Sequence, residues 1–168
     1  EDKDISLELE KIFKRRRITV LTKANVEKIT KTRNSATVFI KGKKSINADI
    51  VLMAVGVTGN VENIGLDELK IGYDRGYIKV NEFMQTNIEN IYAIGDIVGP
   101  PWLAHVASAE GLVAAEHLSG KKSVPMDYNN IPGCTYCHPE IASIGFTEES
   151  ARERGYDVKI GKFPFRAL

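Results

Sequence analysis

The sequence predicts an α/β fold built from more than one structural unit, and three observations carry that expectation. Residues 50–55 are apolar at every position, the composition of a strand enclosed on both faces of an open α/β sheet. Residues 90–118 read as a short apolar strand, a Gly/Pro loop and a helix, in that order. The charge is split as well: residues 1–54 hold 13 Lys/Arg against 7 Asp/Glu, whereas residues 55–168 hold 10 against 15.

In chain order, residues 4–17 place Ile5, Leu9, Ile12 and Phe13 on one face of a helix, with acids early and Lys14 to Arg17 late, where the helix dipole favours cations. Residues 18–21, 25–30, 36–41 and 50–55 read as strands, with turns at 33–35 and at Gly42-Lys43. Residues 57–90 are rich in turn formers around a hairpin element at 77–80. A buried strand at 90–96 stops at Gly95-Asp96. A helix over 103–118 follows the loop Gly99-Pro100-Pro101-Trp102, and Gly120 ends it. The stretch 133–145 is β-like. Thr147 opens a short helix with Glu148 and Glu149 in its first turn, Gly155 stops it, and a last strand is expected at 158–163.

Several function classes are excluded. A chain of 168 residues, 43% hydrophobic and 27% charged with a net charge of +1, fits one globular domain or parts of two and lacks the strong basic excess of a nucleic-acid binder. Its longest apolar run, six residues, is far short of the ~20 needed to span a bilayer. Two cysteines rule out a multi-bridge secreted framework and favour a reducing, cytoplasmic compartment, or the mitochondrial matrix in a eukaryote. The start, Glu1-Asp2-Lys3-Asp4, has neither initiator Met nor signal-peptide pattern and reads as an excerpt.

The most informative segment is Ile91-Tyr92-Ala93-Ile94-Gly95-Asp96. In open α/β sheets ligands lie beyond the carboxyl ends of strands, which puts Asp96 where a cofactor hydroxyl would be met. The helix that follows turns its free N–H groups and positive end toward the same ligand, suiting a group that gains negative charge, such as a reduced flavin. On its own, Asp96 reads equally well as the acid that caps a turn. His105, at a helix start, is assigned a contact role and not an acid-base one. Trp102 reads either as a contact residue or as core.

The string A-I-G-D-I, then L-A-H, then A-E-G, resembles the second flavin-contacting motif of the pyridine nucleotide-disulfide oxidoreductases, the family with two dinucleotide-binding domains. The resemblance covers the chain: residues 50–69 are similar to the family's return from its nicotinamide domain, 85–105 to its flavin loop and 131–149 to the start of its interface domain. The last favours the dihydrolipoamide dehydrogenase branch over mercuric or glutathione reductase. The fold so implied is the end of a nicotinamide-binding Rossmann-like domain (1–54), the returning part of the FAD domain (55–125) and the start of an α+β dimer-interface domain (126–168). By resemblance, Asp96 bonds the ribityl chain of FAD, Trp102, Leu103, Ala104 and His105 line its ring, and Gly56 and Val26 touch NAD. The parent is implied to be a homodimer that meets the lipoyl domains and E2 core of 2-oxoacid dehydrogenase complexes. No catalytic residue is assigned, because the redox cysteines and the acid-base His/Glu of that family have no counterpart in residues 1–168. The isolated polypeptide is therefore expected to be inactive, to bind FAD weakly, and to associate or lose order near Leu168. Two positions depart from the family pattern: Val57 stands where many members have Arg, and Val106 where many have Lys.

Cys134-Thr135-Tyr136-Cys137 has C-x-x-C spacing. Without a second pair, and within strand-like sequence, it favours structural thiols over a redox or zinc role. A non-catalytic module holding a metal through Cys134, Cys137 and His138 is the alternative from a different class.

Overall fold

A computed structural model describes residues 1–165. The chain falls into two compact units, one made of Glu1–Val55 with Cys134–Leu168 and the other of Gly56–Gly133. Residues 166–168, the end of the expected interface segment, lie outside the described residues. No helix among the described residues is long and apolar enough to cross a membrane.

Helix α1 spans Lys3–Arg15, with Asp4 in its first turn and Lys14 and Arg15 in its last, the arrangement its dipole favours. No residue of α1 is fully buried. Residues 18–21 form no strand: the Ile18 amide bonds back to the Phe13 carbonyl at 2.9 Å, so the segment leaves the helix as a connection. An antiparallel sheet follows in the order β1 (Val26–Lys31), β2 (Ala36–Ile40), β3 (Ile46–Ala48). Lys31 faces Ala36 across a turn closed by the Thr32 amide on the Ser35 carbonyl at 2.8 Å. The register shifts between Val26 and Lys28, leaving Glu27 as the extra residue of a bulge. Ala36 and Ile40 of the central strand are buried.

The expected strand at residues 50–55 is not formed. Ile50, Leu52 and Val55 are each 86% exposed, and no described strand pairs with the segment. A strand is made by its neighbours' amides and carbonyls, and apolar composition cannot substitute for them.

The unit Gly56–Gly133 has its own core of Leu66, Ile71, Ile78 and Ala93, against which Ile97, Val98 and neighbouring aliphatic residues pack. The predicted hairpin is present but short: β4 (Tyr73–Asp74) pairs with β5 (Tyr77–Ile78). Arg75 and Gly76, at φ 49° and 84°, supply the two positive-φ positions such a tight connection needs. Residues 84–93 form a loop knitted by side chains as well as backbone. The Ala93 amide bonds the Met84 carbonyl at 3.0 Å, and the Thr86 hydroxyl accepts from the Ile88 amide at 3.1 Å and donates to the Ile91 carbonyl at 2.9 Å. Asn87 ties this loop to the chain before β4, accepting from the Gly72 amide and donating to the Lys70 carbonyl, both at 2.8 Å. Residues 90–96 are thus one leg of this loop, with a single bridge between Gln85 and Tyr92, and not the predicted sheet strand. The leg ends in a 3-10 turn, Gly95–Val98.

Helix α2, Ala104–Leu118, lies one residue inside the predicted span and buries Val106, Glu110 and Val113. Beyond it, β6 (Gly133–Thr135) and β7 (Ile141–Ser143) form a two-stranded sheet. Helix α3, Glu148–Glu153, starts as predicted: Thr147 Oγ1 accepts from the Ser150 amide at 3.2 Å. The Glu148 amide is met by the Asp2 carboxylate at 2.9 Å. Residues 158–163 form no strand, although Lys162 pairs with Asp4.

Candidate functional site

The Gly95–Asp96 turn and the start of α2 lie in the same unit and pack on each other. Gly95 adopts φ 76°, and a Cβ built there would sit 3.3 Å from the Ala107 Cβ of α2. Both the conformation and the close approach call for glycine. Asp96, the next residue, is exposed, and no ion pair reaches its carboxylate among the described residues.

Leu103 enters α2 in extended conformation and provides no side-chain cap. The Val106 and Ala107 amides both return to the Leu103 carbonyl at 3.0 Å. The earlier amides, Ala104 and His105, have no acceptor within the helix, so its positive end is open. Ala104 is exposed and Leu103 half-buried. Trp102, 39% exposed, stacks on Tyr77 with ring centroids 6.4 Å apart. The Tyr77 hydroxyl in turn donates to the Val57 carbonyl at 2.8 Å. His105 Nε2 lies 3.0 Å from the Pro132 carbonyl. A carbonyl only accepts, so Nε2 carries the proton in this contact and the imidazole serves as a tether. The structure therefore places Asp96 in the 3-10 turn, Ala104 and His105 in the first turn of α2, and Trp102 and Leu103 just ahead of that helix, all in one unit.

Sequence reasoning assigned no role to Glu110. It is 2% exposed. One carboxylate oxygen accepts from the Gly95 amide at 2.6 Å and the other from the Tyr128 hydroxyl at 2.7 Å. Burial, reinforced by that carboxylate, pushes the Tyr128 phenol well above its ordinary range. Two signals pointed to it: Glu110 is the acid of the A-E-G string, and it stands four residues after Val106 and three before Val113, a lone acid inside the buried stripe of α2.

Gly56, at φ 115°, is exposed with open space where a Cβ would stand. It does not end a paired strand, as the sequence had suggested. Val26 opens β1 opposite Ile40 and is 49% exposed. Cys134 is exposed on β6, which stops at Thr135 instead of continuing through the motif. Cys137 lies half-buried in the following turn, its thiol 3.0 Å from the Pro139 carbonyl. Among the described residues no three His, Cys, Asp or Glu side chains gather into a group that could hold a metal.

A family profile described as pyridine nucleotide-disulphide oxidoreductase matches residues 1–111, and the dimerisation domain of the same family matches 131–168. The chain belongs to the pyridine nucleotide-disulphide oxidoreductase family. Among curated members, the dihydrolipoyl dehydrogenase of Zymomonas mobilis is 47% identical over 174 residues, covering 99% of this chain and 37% of that protein. The Bacillus subtilis enzyme of the same name is 43% identical over 173 residues, covering 100% and 36%. The chain thus spans a little over a third of the length of the curated relatives it matches. Solved structures agree. LpdA from Mycobacterium tuberculosis superposes with a TM-score of 0.85 at 28% identity, over 94% of this chain and 34% of that one. The HOCl-induced flavoprotein disulfide reductase RclA from Escherichia coli gives 0.88 at 25% identity, over 99% and 39%. The resemblance read from the A-I-G-D-I, L-A-H and A-E-G strings holds, as does the fold class drawn from it: a portion of the family's Rossmann-like architecture followed by the start of its dimerisation domain.

Proposed function

We propose that the chain is part of an FAD-dependent dihydrolipoamide dehydrogenase, with residues 1–54 closing its nicotinamide domain, 55–125 returning to its flavin domain and 126–168 opening its interface domain. The observation that carries the reading is the pairing of the exposed Asp96 carboxylate with the uncapped start of α2, held together by the close packing of Gly95 on Ala107. These features fit a flavin: a carboxylate accepts from sugar-alcohol hydroxyls, and open helix amides favour an electron-rich ring edge.

Bound FAD supplies a two-electron relay between a protein disulfide, reduced by dihydrolipoamide, and NAD, which leaves as NADH. The chain's own part is to bind and orient. Asp96 holds the ribityl chain. The amides of Ala104 and His105 would meet the ring with the positive end of the helix, and Trp102 and Leu103 would lie beside it. Gly56 and Val26 contribute on the NAD side. No residue of this chain is assigned a proton or electron transfer. The partners proposed for the whole enzyme are a second copy of itself and the lipoyl domains and E2 core of a 2-oxoacid dehydrogenase complex. The two free thiols suit a reducing compartment, cytoplasm or mitochondrial matrix.

The test is to purify the complete protein carrying this chain and its Asp96→Ala variant, and to measure bound flavin and dihydrolipoamide-dependent NADH formation. The parent is expected to be yellow and active, and the variant to lose FAD on dilution. A colourless parent would overturn the flavin assignment. A yellow parent inert toward dihydrolipoamide would overturn the substrate alone.

A further inference from the structure

We propose that Glu110 is a positioning residue, whose buried carboxylate holds the Gly95–Asp96 turn in the geometry that presents Asp96 to the flavin. The proposal rests on the flavin reading above and adds to it a residue with no contact to the ligand.

A carboxylate sealed from water is strongly disfavoured unless hydrogen bonds or a counter-charge replace its hydration. Glu110 has no ion-pair partner among the described residues. Its two oxygens are instead occupied by the Gly95 amide and the Tyr128 hydroxyl. Bonds from neutral donors to an ionised acceptor are the strong kind, and the 2.6 Å separation to Gly95 agrees. Tyr128 is itself supported by the buried Met84, whose sulfur lies 3.8 Å from its hydroxyl.

The placement of the Gly95 bond is what gives Glu110 a role beyond packing. Gly95 immediately precedes Asp96, and Glu110 sits on α2, the helix whose first amides have no acceptor within it. For Asp96 and the start of α2 to serve one ligand, the two elements must keep a constant spacing. The van der Waals approach of Gly95 to Ala107 sets how close they come. The Glu110 bond sets direction, because a hydrogen bond weakens steeply as its angle departs from linear. Glutamine replaces it poorly: its amide offers one acceptor oxygen, so satisfying Gly95 turns an NH2 group toward Tyr128, whose hydroxyl must then accept and pass its proton from a carboxylate to the weak acceptor sulfur of Met84.

The test uses the complete flavoprotein, with FAD affinity measured by fluorescence titration and the surroundings of the ring by visible circular dichroism of the bound flavin. Glu110→Gln is expected to weaken FAD about tenfold or more and to change the flavin dichroism. Glu116→Gln, exposed on the same helix, should change neither. In an Asp96→Ala background Glu110→Gln should add less than about twofold, since its effect passes through Asp96. Parent-like affinity and dichroism in Glu110→Gln, or full additivity with Asp96→Ala, overturns the proposal. Should Glu110→Gln not fold, Tyr128→Phe carries the test by removing one donor from the same carboxylate. A loss of about threefold that disappears in Asp96→Ala supports the proposal, and unchanged affinity overturns it. If Asp96→Ala weakens FAD while Glu110→Gln does not, positioning alone falls. If Asp96→Ala binds FAD like the parent, the flavin reading falls and positioning falls with it.

Discussion

Replacing Gly95 by alanine should be among the most damaging single-methyl additions in the unit Gly56–Gly133, and the structure allows the effect to be sized. At φ 76° an L-residue sits in the left-handed region, at about 1–2 kcal/mol. The added methyl would also stand 3.3 Å from the Ala107 Cβ, so the turn or the helix must yield by a few tenths of an ångström, at about 1–2 kcal/mol by comparison with other overpacked sites. Together these predict a destabilisation of about 2–4 kcal/mol, enough to lower the midpoint of a unit this size by on the order of 10 °C or more. The assay is urea denaturation followed through the single tryptophan, Trp102, which stacks on Tyr77 in the same unit. Pairing Gly95→Ala with Ala107→Gly separates the two contributions. The second change removes the collision but not the backbone strain, and is expected to recover about 1 kcal/mol of coupling despite the cost of a helical glycine. A Gly95→Ala chain within about 0.5 kcal/mol of the parent would refute the reasoning, because neither the conformation nor the close packing could then be real.

Three further outcomes are expected. Gly59→Ala should destabilise the same unit, since its methyl would run into the Gly76 carbonyl and lie 3.2 Å from the Ile97 side chain; an unchanged urea midpoint would show that the loop carrying Gly59 is free to move. In an ultraviolet titration two of the six tyrosines should resist ionisation beyond the ordinary value of 10.0, Tyr73 through its bond to the Asp67 carboxylate and Tyr128 chiefly through burial, and Tyr128→Phe should abolish the later phase. Since the folded state raises the Tyr128 pKa, its stabilising share is complete below pH 10 and is lost only as pH climbs through the folded value, so acid should leave it untouched. Cys134 should react with a thiol reagent faster than the half-buried Cys137, and added zinc should protect neither; zinc protection of both would revive a metal role for the pair.

The helices were legible because their signals are local. The apolar spacing from Val106 to Val113 and the terminating glycine at 120 marked α2, and Thr147 followed by two acids marked α3. The hairpin turns were legible for the same reason, through Arg33-Asn34-Ser35 and Arg75-Gly76. Strand assignments fared worse wherever they depended on a partner far along the chain. Residues 50–55 have the composition of an enclosed strand and lie exposed, and residues 90–96 carry the same texture yet close a loop through Thr86 and Gln85. In the candidate site, Asp96 and the Leu103–His105 start could be named from their motif. Glu110 was marked by the A-E-G string but could not be given a task, because its partners lie 15 and 18 residues away.

The two donors around Glu110 carry no net charge, and that has a bearing on how the unit responds to its medium. Attraction between opposite ions fades as electrolyte accumulates, whereas an acid gripped by an amide and a phenol away from water feels little of that screening. The Gly95–Asp96 turn should therefore keep its shape in brine as in dilute buffer, while exposed pairs such as Lys11 with Glu8 loosen.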